Sequence, residues 1–174
     1  MRHVDHAHIR PYTDTDEAGV RELNADNVPA VGELDDHRLA LFRDDPRITF
    51  DVVDLEGSIV GLFVGVPPDV QYGSDNYLWF AARHARFAYV DRIALAPITR
   101  GTGLADELYD RWEQAAAHAG ATVVCAEVNT VPRNERSLAF HARRGFQTVA
   151  ENAPYGGDER VAMLELPLRD ARAL

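Results

Sequence analysis

The 174-residue chain has no lysine; all 18 of its basic residues are arginine. That absence excludes Schiff-base chemistry on lysine, and it excludes a Walker-type phosphate loop, whose Gly-Lys-Ser/Thr core needs the ammonium group. Cysteine is almost missing too. Cys125 stands alone, so no intramolecular disulfide can form, and it sits in an apolar run from Thr122 to Val128 where a buried, inert thiol is expected. A reducing, cytoplasmic setting follows as the expectation. The N-terminal residues are rich in His and Asp and have no apolar h-region, so no signal peptide is expected. No apolar stretch approaches the roughly 20 residues of a membrane span, so no membrane partner is expected either. His3, His6 and His8 resemble a metal cluster by count only, and no metal site is read into them.

The formal net charge of −10 argues against a nucleic-acid-binding surface. An acidic surface of this kind serves solubility and is compatible with cationic substrates. A chain of this length is expected to fold as one domain over residues 1–174, with enough residues to bury a core.

Hydrophobic patterning predicts a short strand around His8 to Arg10. A helix capped at Asp14 or Thr15 and running to about Asn24 follows, then a second helix capped at Asp35 or Asp36 and ending before Pro46. Ile48 to Leu55 and Ser58 to Val66, separated by Glu56-Gly57, read as a β-hairpin. Asp69 to Arg86 shows no clean periodicity, is rich in aromatics and reads as a long functional loop. Phe87 to Leu95 is a strand. In the helix that follows, Leu104, Leu108, Trp112, Ala115 and Ala119 share one face. Thr122 to Val128 is the next strand and Glu135 to Arg144 a helix closed by Gly145; Phe146 to Ala150 and Arg160 to Leu166 are the last strands. A hairpin first and strand–helix–strand–helix–strand afterwards predicts an α/β fold, a mixed sheet with helices on its faces.

The chemistry concentrates in Leu95-Ala-Pro-Ile-Thr-Arg-Gly-Thr-Gly-Leu-Ala105, where a strand turns through glycines onto the first turn of a helix. The unpaired N–H groups of such a turn and the positive end of the helix dipole form an anion site. Gly101 and Gly103 let backbone approach a phosphate without a Cβ in the way, and Arg100 adds a fixed positive charge. A Rossmann fingerprint would need a third small residue where Asp106 stands, and no strand ends in an acid about 20 residues further on.

What remains, Arg100-x-x-Gly103-x-Ala105 after a strand and Pro97, resembles the pyrophosphate loop of the GCN5-related N-acetyltransferases, written there Gln/Arg-x-x-Gly-x-Gly/Ala. A second block, Glu127-Val-Asn129, Asn134, Ser137, Phe140 and Gly145-Phe146, resembles the family's other cofactor segment at the spacing of one strand–helix–strand unit. Together the blocks cover about residues 87–150. Tyr89-Val-Asp-Arg92 and the Asn-Tyr-x-Trp-Phe run at 76–80 look like a bacterial subgroup of the family.

The resemblance implies a mostly antiparallel sheet whose central parallel strand pair splays apart, with pantetheine filling the gap as a pseudo-strand. It implies backbone contacts from Ile93, Ala94 and Leu95, with the Ile93 N–H facing the thioester carbonyl. It implies pyrophosphate binding by the amides of Arg100, Gly101, Thr102, Gly103, Leu104 and Ala105, and cofactor contacts from Asn134, Ser137 and Phe140. By residue type alone Asn134 also suits a helix cap, and Ser137 an ordinary helix position. The cofactor implied is acetyl-CoA, with coenzyme A as product, and dimerisation is common in the family.

The chain departs from the family where a tyrosine commonly protonates the departing thiolate, for His141 stands there. An imidazole with a pKa near ~6.5 can donate or relay a proton near neutrality; packed beside the cofactor, it could instead only donate a hydrogen bond. Attack on a thioester needs a neutral amine and therefore a base. Glu127 is the first candidate and Asp91 the second, each with the alternative of a salt-bridged carboxylate, such as Asp91 with Arg92 or Arg86. Asn24, Asn27, Tyr72, Asn76, Tyr77 and Trp79 are acceptor-pocket candidates by position and type, with core or interface as the alternative for the aromatics. The expected function is transfer of an acetyl group to an amine of a small molecule or peptide by direct attack in a ternary complex. The competing readings are another acyl group, a hydroxyl acceptor, or a non-catalytic acyl-CoA-binding or sensing module.

Overall fold

The structure is a computed structural model that describes residues 6–154 and 156–168; His3 lies outside the described residues. The strands are β1 (Ala7–Pro11), β2 (Thr49–Leu55), β3 (Ser58–Val66), β4 (Phe87–Leu95), β5 (Val123–Val131), β6 (Gln147–Asn152) and β7 (Arg160–Pro167). The α-helices are α1 (Glu17–Asp26), α2 (Asp36–Asp44), α3 (Asp75–Ala81), α4 (Leu104–His118) and α5 (Glu135–Arg144). The sheet has the order β1-β2-β3-β4-β5-β7-β6, with β4 and β5 parallel and the pairs β1–β2, β2–β3, β5–β7 and β6–β7 antiparallel. This is the mixed α/β sheet the sequence predicts. The chain divides into two compact units, Met1–Val66 with Asp91–Trp112, and Pro67–Val90 with Glu113–Leu174, so β4 and α4 each contribute to both.

In the first unit the predicted hairpin forms at Glu56-Gly57, both with positive φ (52° and 85°), and the Gly57 N–H donates to Asp54 Oδ1 at 2.8 Å. Two consecutive left-handed residues make the tight turn that matches the strand twist. α2 starts where its cap dictates, with the Asp35 carboxylate accepting from the Arg38 N–H at 2.7 Å. At Gly65 a Cβ would lie 2.7–2.8 Å from the Trp112 indole, so glycine admits Trp112, whose ring also meets Phe63 at 6.1 Å. The buried stripe of α4 is Leu104, Leu108, Tyr109, Trp112 and Ala116, while Ala115 and Ala119 are exposed. Both i+3 and i+4 steps from Trp112 satisfy helical periodicity; burial of the large Tyr109 ring rotates the stripe toward Ala116.

In the second unit β5, β7 and β6 form an antiparallel set, and the start of β4 pairs in parallel with β5 at Phe87–Val123, Ala88–Val124 and Tyr89–Cys125. The segment expected to be a loop over Asp69 to Arg86 instead contains α3. Ser74 caps it by accepting from the Tyr77 N–H at 3.4 Å, and Asn76, Tyr77 and Phe80 are buried. Its seven residues include Asn, Tyr, Trp and Phe, which are weak helix formers, so tertiary packing decides this turn and sequence periodicity does not show it.

Candidate active site

In the first unit β4 leads through Ala96 and a 3-10 turn at Pro97–Thr99 to α4. The Ala96 N–H donates to Val60 O at 2.8 Å, which pins the strand end. Thr99 Oγ1 donates to Ala96 O at 2.8 Å and Thr102 Oγ1 to Thr99 O at 2.6 Å, so side chains close the loop on itself. Gly101 and Gly103 have φ of 71° and 86°, and a Cβ at either would meet nothing within 4 Å. Positive φ explains the glycines, and the open space beside them leaves backbone reachable from outside. Arg100, Gly101 and Gly103 are exposed and Thr102 half-buried at the N-terminus of the 15-residue α4. This exposed, cationic, glycine-opened helix start suits a diphosphate. On β4, Ile93 and Leu95 are half-buried and Ala94 is buried; Leu104 is buried and Ala105 half-buried at the start of α4.

Of the three asparagines proposed for the acceptor pocket, Asn24 and Asn27 hydrogen-bond to backbone carbonyls. Asn24 is buried, its Nδ2 donating to Gly32 O at 3.1 Å and its Oδ1 accepting from Arg92 Nη1 at 2.7 Å. Asn27 donates to Leu23 O at 2.8 Å from the C-terminal end of α1. Arg92 also donates to Gly32 O at 3.0 Å, lies 5.4 Å from the Phe42 ring centre, and donates from Nε to Asp91 Oδ2 at 2.7 Å. The salt-bridge alternative for Asp91 is thus realised with Arg92, in a pair whose side chains are only 4% and 2% exposed. The sequence offered Arg92 only as a partner for Asp91; its bonds to Asn24 and Gly32, about 60 residues away along the chain, leave no signal in local spacing.

The second unit brings Glu127 of β5 against Tyr89 of β4. The Tyr89 hydroxyl lies 2.8 Å from both Glu127 carboxylate oxygens and donates to that group. Tyr89 is fully buried, and Glu127 is half-buried. Tyr77 packs edge-on against Tyr89 at 5.6 Å, and its own hydroxyl donates to Pro67 O at 2.8 Å. Tyr72 meets Tyr77 edge-on at 5.6 Å and is likewise buried. Trp79 is half-buried under the Arg83 guanidinium, 4.6 Å from its ring centre. Asn76 is buried, with an Oδ1 that meets no hydrogen-bond donor among the described residues.

Asn134 caps α5, its Oδ1 accepting from the Ser137 N–H at 3.2 Å; Gly145, with φ of 95°, ends the helix. Ser137 and Phe140 are half-buried, with the Arg143 guanidinium 5.4 Å from the Phe140 ring centre. His141 is buried between Phe140 and Phe146, both edge-on, and lines a cavity of about 280 Å³ together with Leu138, Thr130, Arg133 and Glu151. Its Nδ1 lies 2.8 Å from Ser137 O. A carbonyl only accepts, so Nδ1 carries the hydrogen and Nε2 of the neutral ring carries a lone pair. Burial pushes the imidazole below its ordinary range, and the nearby Arg144 cation lowers it further. At neutral pH the ring is therefore neutral, and a proton at Nε2 exists only in the cation.

Between the folded and unfolded pKa values the unfolded chain binds the extra proton, so His141 withdraws stability as pH falls below about 6.5 and leaves it intact above. The thermal midpoint should fall more steeply between pH 7.5 and 5 in wild type than in His141→Leu. Parallel curves for the two proteins would refute this.

Burial pushes the Cys125 thiol far up, so it holds no nucleophilic thiolate near neutrality. Among the described residues no cluster of three His, Cys, Asp or Glu side chains could hold a metal ion, and no helix is long and apolar enough to cross a membrane.

No curated protein sequence matches the chain. Solved structures do match its fold. An N-acetyltransferase from Staphylococcus aureus Mu50 aligns with a TM-score of 0.72 at 22% identity, over 94% of this chain and 99% of that one. Ard1 from Thermoplasma volcanium aligns at 0.74 with 20% identity, over 94% and 99%. YncA from Salmonella typhimurium, solved with its cofactor acetyl-CoA, aligns at 0.71 with 19% identity, over 95% and 96%. The profile of the Acetyltransferase (GNAT) family matches residues 16–146. Because that match runs through parts of both units and well over half of the chain, the protein belongs to the GNAT acetyltransferase family.

Proposed function

We propose that this protein is an acetyl-CoA-dependent N-acetyltransferase, acting as one catalytic domain on a primary amine of a small molecule or peptide. The observation that carries the reading is the exposed Gly101–Gly103 backbone at the start of α4, within the family match. Acetyl-CoA supplies an activated thioester. The amides of residues 100–105 and the Arg100 guanidinium bind its pyrophosphate. The backbone of Ile93, Ala94 and Leu95 takes the pantetheine amides, and the Ile93 N–H donates to the carbonyl oxygen. The three-position parallel pairing of β4 with β5 supports that assignment, since it spans only Phe87 to Tyr89 of the nine-residue β4. Ser137 and Phe140 line the cofactor, with Asn134 holding the helix that carries them.

Glu127 takes the proton from the attacking amine. Asp91 is the second candidate; its carboxylate already accepts from the Arg92 guanidinium, which also holds Asn24 and Gly32. His141 can give a proton to the departing thiolate only as its cation, so an acid role for it belongs to the acidic range. The inert Cys125 favours direct attack over a covalent acyl-enzyme. A cytoplasmic setting suits the single cysteine and the donor.

The experiment is release of free thiol from acetyl-CoA across a panel of amines, with Gly103→Val as the control. Valine at φ near 86° is strained and places a branched side chain where the pyrophosphate is proposed. We expect KM for acetyl-CoA to rise by about 10- to 100-fold with kcat within a few-fold of wild type. No thiol release with any amine, alongside retained CoA binding, would favour a sensing module instead. An unchanged KM in the valine variant would remove the phosphate assignment.

A further inference from the structure

Resting on the assignment of Glu127 as base, we infer that Tyr89 is a positioning residue for it: its phenol fixes the Glu127 carboxylate by hydrogen-bonding both oxygens. One hydroxyl hydrogen is shared between Oε1 and Oε2, each 2.8 Å from the phenol oxygen. That symmetric contact restricts the carboxylate's rotation and adds a hydrogen bond to its charged form, which favours ionisation.

The phenol is itself held rigidly. Tyr89 is fully buried, with Tyr77 edge-on at 5.6 Å and Phe80 tilted at 6.0 Å. Tyr77 is tied down at its far end, donating to Pro67 O at 2.8 Å and accepting from the Val70 N–H at 3.3 Å. Tyr77 and Phe80 of α3 therefore wall in the Tyr89 ring. A hydroxyl used only for packing would need no carboxylate partner. Here it meets the one glutamate of β5.

Tyr89→Phe keeps the ring and deletes the oxygen. The acidic limb of the kcat/KM–pH profile should move up by about one to two pH units, because a hydrogen bond to a charged group is lost. In the plateau above the limb, kcat should fall by about 10-fold from the freed carboxylate. The thermal midpoint should fall by about 3–10 °C, the share of that lost hydrogen bond alone, since the ring contacts persist. Tyr89→Phe in the Glu127→Gln background should cost no further activity, because Tyr89 acts through Glu127.

The outcomes separate cleanly. If Glu127→Gln is crippled while Tyr89→Phe keeps the wild-type limb and kcat, the inference on Tyr89 is overturned and the base assignment stands. An equal loss from Tyr89→Phe with and without Glu127 marks a structural effect and also overturns it. If Glu127→Gln keeps wild-type kcat and limb, the base assignment fails and takes the inference with it.

Discussion

Glu127→Gln should lower kcat by about 10²- to 10⁴-fold, the range a positioned general base contributes. Glutamine is nearly isosteric and its carbonyl oxygen still accepts from the Tyr89 hydroxyl, so fold and β5 geometry should survive. What it cannot do is take a proton. The acidic limb of the kcat/KM profile should disappear with it, while the KM for acetyl-CoA, whose pyrophosphate we propose is bound by the glycine loop, should hardly move. Amines already neutral at the assay pH should lose least, because less proton removal is asked of the enzyme. A variant that retains the acidic limb and stays within about 10-fold of wild-type kcat would show that another group, or water, does this work.

Arg92→Met should give the largest stability loss. Methionine fills much of the same volume but leaves the Asp91 carboxylate, Asn24 Oδ1 and Gly32 O without the donor they now share. The Asp91 and Arg92 side chains are 4% and 2% exposed, so water cannot replace the guanidinium without opening the structure. Breaking a buried pair from one side costs about 3–5 kcal/mol, which for a chain of this size lowers the thermal midpoint by roughly 6–20 °C. Removing both charges, as Asp91→Leu with Arg92→Met, should recover much of the loss, because the stranded carboxylate is its main source. Faster amide exchange over residues 27–35 should accompany the single variant, since Arg92 and Asn24 both hold Gly32 there. A midpoint drop of less than about 2 °C would mean that the pair is dispensable.

The regular parts of the fold were legible because local chemistry and tertiary packing agree there. Phe87–Leu95, Ser58–Val66 and Glu135–Arg144 form with the expected bounds, each a strongly patterned run between unambiguous breakers or caps. Glu56-Gly57 and Gly145 adopt the positive φ that their turns demand. α3 was not legible. Its helix rests on the burial of Tyr77 and Phe80 against β4 and on a Ser74 cap, neither of which leaves a period in seven residues. The buried face of α4 was predicted one residue off near its end, because periodicity permits Ala115 or Ala116 and only packing chooses.

For the site the division is similar. The two glycines and Arg100 pointed by themselves to a phosphate at a helix start, since charge and permitted φ are local properties; the resemblance of the Arg100–Ala105 and Glu127–Phe146 blocks to the family's cofactor segments implied CoA. Which partner each candidate carboxylate meets was decided by tertiary structure alone. Asp91 and Glu127 look alike in sequence, yet one lies buried against Arg92 and the other is half-buried beneath the Tyr89 hydroxyl. Likewise only folding shows that His141 donates into its own helix and is pushed toward its neutral form. Ionisation and proton position depend on burial and on partners brought from dozens of residues away, and neither is encoded in local spacing.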